Sequence, residues 1–251
     1  WSPLLKATGI RMKSGIGEAN AWASLENQRV ISLQTEADLK NIEIVSSNLV
    51  TLENTKSVSP DAIFDRLEVS AKWAEHKDGW QFVAPKLRFH RDKKVASLDG
   101  LIIAGGKKII LRAPQIDLQP AFTLLSLTDQ VPQNLREWLV QATPTASLSS
   151  VNLEGSREGP WKGSVQIHDL NIEPVGSNPG LQGLNGRLQM DGQGGVFDIE
   201  NKPFQFLWPA GFRQNMDLAI NGSLAFWRDD KSWTVGTSAL QISSPDIAVK
   251  T

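Results

Sequence analysis

The sequence contains no cysteine and no tyrosine, and only three of its 251 residues are histidine. Without cysteine the chain forms neither disulfides nor thiolate metal sites. Lys and Arg number 26 against 27 Asp and Glu, so the basic surplus typical of nucleic-acid-binding proteins is missing. The longest apolar run is about 101–104, far short of the roughly 20 residues of a membrane-spanning helix. A chain of this length nevertheless buries enough surface to fold without metals or disulfides.

Residue types that carry catalysis or bind metals are scattered along the chain. His76, His90 and His168 form no His-x-x-x-His motif, which argues against a zinc site. No Gly-x-Ser-x-Gly motif presents a nucleophilic serine. The glycines of 192–195 superficially suggest a phosphate loop, but a strand-like segment follows them instead of a helix, which favours a hairpin turn. We therefore expect neither an enzyme nor a bound cofactor.

Most of the chain alternates apolar and polar residues with the two-residue period of a β-strand. In 67–73 apolar residues alternate with charged or hydroxylic ones, and the segments 204–208 and 217–226 follow the same pattern. Glycine-containing turn pairs such as Asp78-Gly79 interrupt these runs at short intervals. The pattern predicts many short antiparallel strands.

One segment, 120–143, departs from this pattern because its apolar residues recur at helical spacing. We predict two short helices at about 119–128 and 132–142. Pro132 suits the first turn of the second helix, where a missing N–H costs nothing, and Pro144 ends the pair. The two helices are expected to cover one end or one edge of the sheet.

The two halves of the chain resemble each other. In each half a strand ends in tryptophan, a charged turn follows, and the next strand begins with tryptophan: Trp73 and Trp80 in the first, Trp227 and Trp233 in the second. Such aromatic residues are predicted to pair across the turn. The repeat favours an elongated array of β units over a closed globule. An apolar sheet face with so little helix has to be buried by a second sheet, by curling, or by a ligand.

Several motifs are typical of one protein family. They are Ile-Glu-Pro-Val-Gly at 172–176 continuing to Gly-Arg-Leu at 186–188, Leu-Arg-x-Trp-Leu at 135–139, Pro-x-x-Phe-Arg at 209–213 and Gly-x-Leu-x-x-Trp at 222–227. Together they resemble the AsmA-like proteins of Gram-negative envelopes, and within them the long YhdP branch. These are scaffold motifs, so they indicate a family more than an activity.

With the resemblance added, we predict a mainly β fold. It is an elongated, curled antiparallel sheet that forms an open trough, with a short helical pair near 119–142. The predicted organisation is one continuous array: a β-groove unit at 1–115, the helical pair at 116–145 and a second β-groove unit at 146–251.

The resemblance also implies a function, which is bridge-type lipid transfer. Phospholipid would pass along a periplasmic groove between the inner and outer membranes, within a full-length protein anchored to the inner membrane by an N-terminal helix that this chain lacks. No cofactor is implied. The alternation of strand residues nominates groove-lining positions, although it does not say which face points inward. These candidates are Leu67, Val69, Phe204, Phe206, Leu218, Ile220, Leu224 and Phe226.

Two other functions are compatible with the same residues. One is a structural spacer or tether between envelope layers, with a closed and dry core. The other is a secreted β-sandwich that binds carbohydrate, with exposed rings such as Trp80 and Trp233 as stacking platforms. The first would carry no lipid, and the second would bind oligosaccharide.

Overall fold

The computed structural model describes residues 8–52, 57–156, 159–200, 202–228, 232–237, 240–244 and 248–250. The first half of this structure contains β1 (Ile10–Glu26), β2 (Arg29–Ser46), β3 (Val50–Thr51), β4 (Ser57–Val58), β5 (Asp61–His76), β6 (Gly79–Arg91), β7 (Lys94–Ser97), β8 (Leu101–Gly106) and β9 (Ile109–Asp117). Two helices follow, α1 (Gln119–Leu127) and α2 (Gln133–Ala142). The second half contains β10 (Thr145–Gly155), β11 (Lys162–Ile172), β12 (Gly180–Asp191), β13 (Gly194–Ile199), β14 (Phe204–Leu207), β15 (Met216–Arg228), β16 (Trp233–Gly236), β17 (Leu240–Ser243) and β18 (Ala248–Lys250).

Sixteen of these strands form a single antiparallel sheet, and β3 and β4 pair separately. The sheet order is β1-β2-β5-β6-β8-β9-β10-β11-β12-β13-β15-β17-β18, with β7, β14 and β16 paired beside this path. Strands β9 and β10 pair directly although both helices lie between them in sequence. The sheet therefore continues past the helical pair, and the predicted mainly β, elongated antiparallel fold is confirmed. The division of the chain at 115 and 146 stays a prediction.

Both predicted helices are present, with bounds that differ from the prediction by a residue or less at each end. Pro132 is the N-cap residue of α2 and lies just outside its first turn. Thr143 adopts a left-handed conformation, with φ of 38°, and its N–H bonds to the carbonyl of Leu139. The following Pro144 cannot continue a helix, so α2 ends and β10 begins.

The packing of α1 shows that the sheet curls. Apolar residues of α1, among them Leu124 and Leu127, join the core formed by the sheet. The helix contacts β2, β5 and β10. In a flat sheet β2 and β10 would lie about 24 Å apart, whereas nine helical residues extend only about 13 Å. The sheet therefore curves around α1, and the face against which α1 packs is concave.

The side-chain alternation of β2 shifts by one residue under α1. Leu39 and Ile42 both contribute to the core, although they are three positions apart on the same strand. Asn41 lies between them with φ of 50°, a left-handed conformation that breaks the regular pleat. On β5, Phe64 correspondingly packs against Phe89, with ring centroids 5.1 Å apart. The apolar core on the concave face thus continues to the end of the strands, although the side-chain alternation has shifted by one residue.

Candidate functional site

A continuous row of apolar side chains and glycines crosses the concave face. Its members lie directly opposite one another on twelve successive strands, and residues that face each other across a strand pair lie on the same side of the sheet. We call this set the apolar row. It consists of Ala23, Leu33, Trp73, Phe82, Ile103, Leu111, Leu153, Gly163, Met190, Gly195, Phe226 and Val235. At about 4.8 Å per strand the row is about 50 Å long.

The apolar row is open along its length. Its central members, from Leu33 to Leu153, are half-buried, and the terminal Val235 is 67% exposed. Helix α1 packs at the other end of the strands, where Ile42 and Phe64 are buried. A closed sheet core would bury residues of this size almost completely. The concave face is therefore a groove with an apolar floor.

The opposite, convex face carries an ionic network across β2, β5 and β6. Arg66 donates from Nε to Asp38 at 2.7 Å, and Glu68 accepts from Lys86 at 2.5 Å and from His90 at 2.9 Å. Hydrogen bonds from Lys86 and then from His90 lower the pKa of Glu68 to about 2, although burial opposes this shift. The hydrogen bond from Arg66 likewise lowers the pKa of Asp38. On these three strands the two faces therefore differ in chemistry, with charged groups on the convex face and apolar groups on the concave face.

The strand register places all eight predicted lining residues on the concave face. Two of them lie on β5 in alternation with Trp73. The other six lie on β14 and β15, where Phe204 faces Leu218 and Phe226 belongs to the apolar row. Phe204 is only 8% exposed, whereas the other seven are half-buried. The eight are Leu67, Val69, Phe204, Phe206, Leu218, Ile220, Leu224 and Phe226, and their contact with lipid stays a prediction.

The sequence prediction missed the middle of the apolar row. Phe82, Ile103, Leu111 and Leu153 connect the two predicted groups across the sheet. Ile103 lies within the apolar run 101–104, where residues of both faces are apolar and the two-residue period is hidden. Only the pairing with neighbouring strands assigns these residues to a face.

The predicted tryptophan pairing across the hairpins is wrong. Trp73 lies opposite Phe82, and Trp80 lies opposite Glu75. The second hairpin likewise separates its two tryptophans. The turn between β5 and β6 is so tight that His76 and Gly79 pair directly. In the register set by this turn, Trp73 and Trp80 do not lie opposite each other.

In the described part of the chain, no three His, Asp or Glu side chains converge as the ligands of a metal ion would. No helix among the described residues is long and apolar enough to cross a membrane.

A single curled sheet with an ionic convex face and an open apolar concave face defines a β-groove protein. The sequence profile of the family described as YhdP protein matches residues 1–251, and the chain belongs to the YhdP family. This confirms the resemblance drawn from the motifs. No curated protein and no solved structure matches the chain. The YhdP family is AsmA-like and associated with the cell envelope, and its role, at the level of the family, is lipid transport.

Proposed function

We propose that this chain is a segment of a bridge-like protein that shields phospholipid acyl chains on its concave face during transport between the inner and outer membranes. The site of action is the periplasm. The observation that carries the proposal is the apolar row, which crosses twelve strands without a polar side chain. Membership of a lipid transport family supports the same function.

The chemistry of the groove suits movement along it. Removing an acyl chain from water yields about 0.8 kcal/mol per CH₂ group, so even partial burial holds a lipid firmly. Apolar contact has no preferred direction, and an unbroken row of apolar residues offers such contact at each step. A lipid can therefore slide from strand to strand while its polar headgroup remains in water at the open side.

Two neighbouring isoleucines on β8 provide a matched test. Ile103 belongs to the apolar row, and Ile102 lies on the other face of the same strand; both are half-buried. We expect the wild-type chain to retain phospholipid when it is purified without detergent, and the Ile103→Glu variant to lose it. The Ile102→Glu variant should retain it. Solvent extraction with mass spectrometry measures the lipid, and circular dichroism shows that both variants are folded.

Three results would overturn the proposal. Equal lipid content in the two folded variants would show that the apolar row is not the lipid path. A folded wild-type chain that neither retains nor captures phospholipid would favour the structural spacer. Oligosaccharide binding that disappears on removal of Trp80 or Trp233 would favour the carbohydrate-binding alternative.

A further inference from the structure

Three tryptophans lie on one rim of the groove, beside the hairpin tips. Each precedes a member of the apolar row by two positions: Trp80 precedes Phe82, Trp161 precedes Gly163, and Trp233 precedes Val235. Residues two positions apart on a strand share a face and lie about 6.6 Å apart. Trp80 and Trp233 therefore share the concave face with the apolar row, one step closer to the open edge. Trp161 lies just before β11, and its ring covers Gly155, which shares a face with Leu153 on β10, so Trp161 lies on the concave face as well. We call these three residues the tryptophan rim.

The tryptophan rim is evenly spaced. Trp80 lies on β6, Trp161 immediately before β11, and Trp233 at the start of β16. Four strand-to-strand steps separate β6 from β11, and four more separate β11 from β16. Each interval is therefore about 19 Å along the groove.

Two of the rings lie directly against the backbone of a neighbouring strand, where a glycine leaves room for them. A Cβ atom on Gly105 would lie 2.4 Å from the ring of Trp80, and one on Gly155 would lie 2.4 Å from the ring of Trp161. The third ring, Trp233, packs against Phe226 with centroids 6.0 Å apart. These contacts fix the rings at the rim while leaving part of their surface in water: Trp80 is 40% and Trp233 is 63% exposed.

The polar edges of these rings are available to a ligand. Within the described residues none of the three indole N–H groups donates a hydrogen bond, whereas the indole of Trp208 donates to the carbonyl of Ser177 at 2.9 Å. Tryptophan combines an apolar body with one N–H donor and favours the boundary between hydrocarbon and water. The rim occupies such a boundary, between the apolar row and solvent.

We propose that the tryptophan rim binds the interfacial part of the transported phospholipid, its ester and phosphate oxygens. The indole N–H groups donate to these oxygens while the acyl chains lie on the apolar row. The rim thereby sets the height of the lipid in the groove and keeps its headgroup at the open edge. This inference rests on the proposed function, because it requires a phospholipid in the groove.

Depth-dependent fluorescence quenching tests this proposal. The chain is loaded with a phospholipid that carries either a nitroxide on its headgroup or bromine near the ends of its acyl chains. We expect the headgroup label to quench part of the tryptophan emission, and the triple variant Trp80→Phe, Trp161→Phe, Trp233→Phe to lose that part. Phenylalanine keeps a ring over the glycines, which preserves the packing. The Trp73→Phe variant should instead lose the part quenched by the chain-end label.

Trp227 provides the matched control, since it follows Phe226 on β15 and therefore lies on the convex face, where it is 41% exposed; Trp227→Phe should change neither component. Undiminished headgroup quenching in the triple variant would overturn the rim proposal. Quenching by the chain-end label would then still support lipid in the groove, so the proposed function would survive. No quenching by either label, with no lipid bound, would overturn both.

Discussion

Arg136 of α2 donates a hydrogen bond of 2.9 Å to the hydroxyl of Ser46 at the end of β2. The same guanidinium donates to the carbonyl of Ser126 at 3.1 Å and to that of Asn48 at 3.3 Å, and the arginine is only 4% exposed. These acceptors belong to the end of the sheet, the loop that follows it, and α1. One buried side chain therefore connects both helices to the sheet.

We predict that Arg136→Lys lowers the free energy of unfolding by about 2 kcal/mol. A lysine ammonium lacks the planar fork that reaches several acceptors at once, so buried oxygens would lose their partner. Urea denaturation measures the change. Leu135→Ala is the control because Leu135 is 44% exposed on the same helix, and it should cost less than about 1 kcal/mol. An unaltered midpoint for the lysine variant would show that the connection is not stabilising.

The apolar packing of α1 gives a second prediction. Leu127 is fully buried, whereas Leu125 on the same helix is 41% exposed. Leu127→Ala should lower the free energy of unfolding by about 3 kcal/mol, because it leaves a cavity between the helix and the curled sheet. Leu125→Ala should have a much smaller effect. Similar urea midpoints for the two variants would contradict the packing of α1 into the groove.

Stability should depend on pH through Glu68. Its pKa is about 2 in the folded chain and 4.5 without its partners, so the carboxylate stabilises the fold above pH 4.5. That contribution is lost as the pH falls from 4.5 towards 2. We predict that Glu68→Gln costs about 2 kcal/mol at neutral pH, and that its difference from the wild type shrinks over this window.

Urea midpoints measured across the acidic range provide the test. Glu36 is an exposed residue on the same face, so Glu36→Gln is the control and should leave the pH profile close to that of the wild type. A Glu68→Gln difference that stays constant down to pH 2 would mean that the network around this carboxylate has been misassigned.

Gly105 should tolerate no side chain while Trp80 covers it. In Gly105→Ala the new methyl group would lie 2.4 Å from the indole, which has to move. We predict a loss of about 1–3 kcal/mol and an altered tryptophan emission spectrum. Adding Trp80→Ala should remove the clash, so the double variant should lose less stability than the sum of the single variants.

Gly15→Ala is the matched glycine control. Its new methyl group would meet nothing closer than the sulfur of Met12, at 3.6 Å. Gly→Ala lowers the entropy of the unfolded chain and by itself favours folding. A similar loss of stability in both glycine variants would therefore contradict the assignment of the loss to the clash with Trp80. Strict additivity in the double variant would likewise show that the indole ring is not its cause.

The elements that could be predicted from the sequence are those that depend on local periodicity. The alternation of 67–73 identifies a strand with one apolar face, and the spacing in 120–143 identifies two helices whose bounds agree closely with α1 and α2. The register between strands could not be predicted in the same way. Trp73 faces Phe82 because the position of the turn between β5 and β6 sets the register. The pattern of aromatic residues does not specify the position of that turn.

The residues of the candidate site were likewise predictable only in part. Alternation alone correctly grouped Leu67 with Val69, because neighbouring side chains on any strand point to opposite faces whatever the strand pairs with. Which face is concave, and which residues complete the apolar row, depends on contacts between distant parts of the chain. Helix α1 packs against β2, β5 and β10 at once, and the sheet curls around it. The sequence by itself thus determined which residues share a strand face, and the tertiary structure decided which of those faces became the floor of a groove.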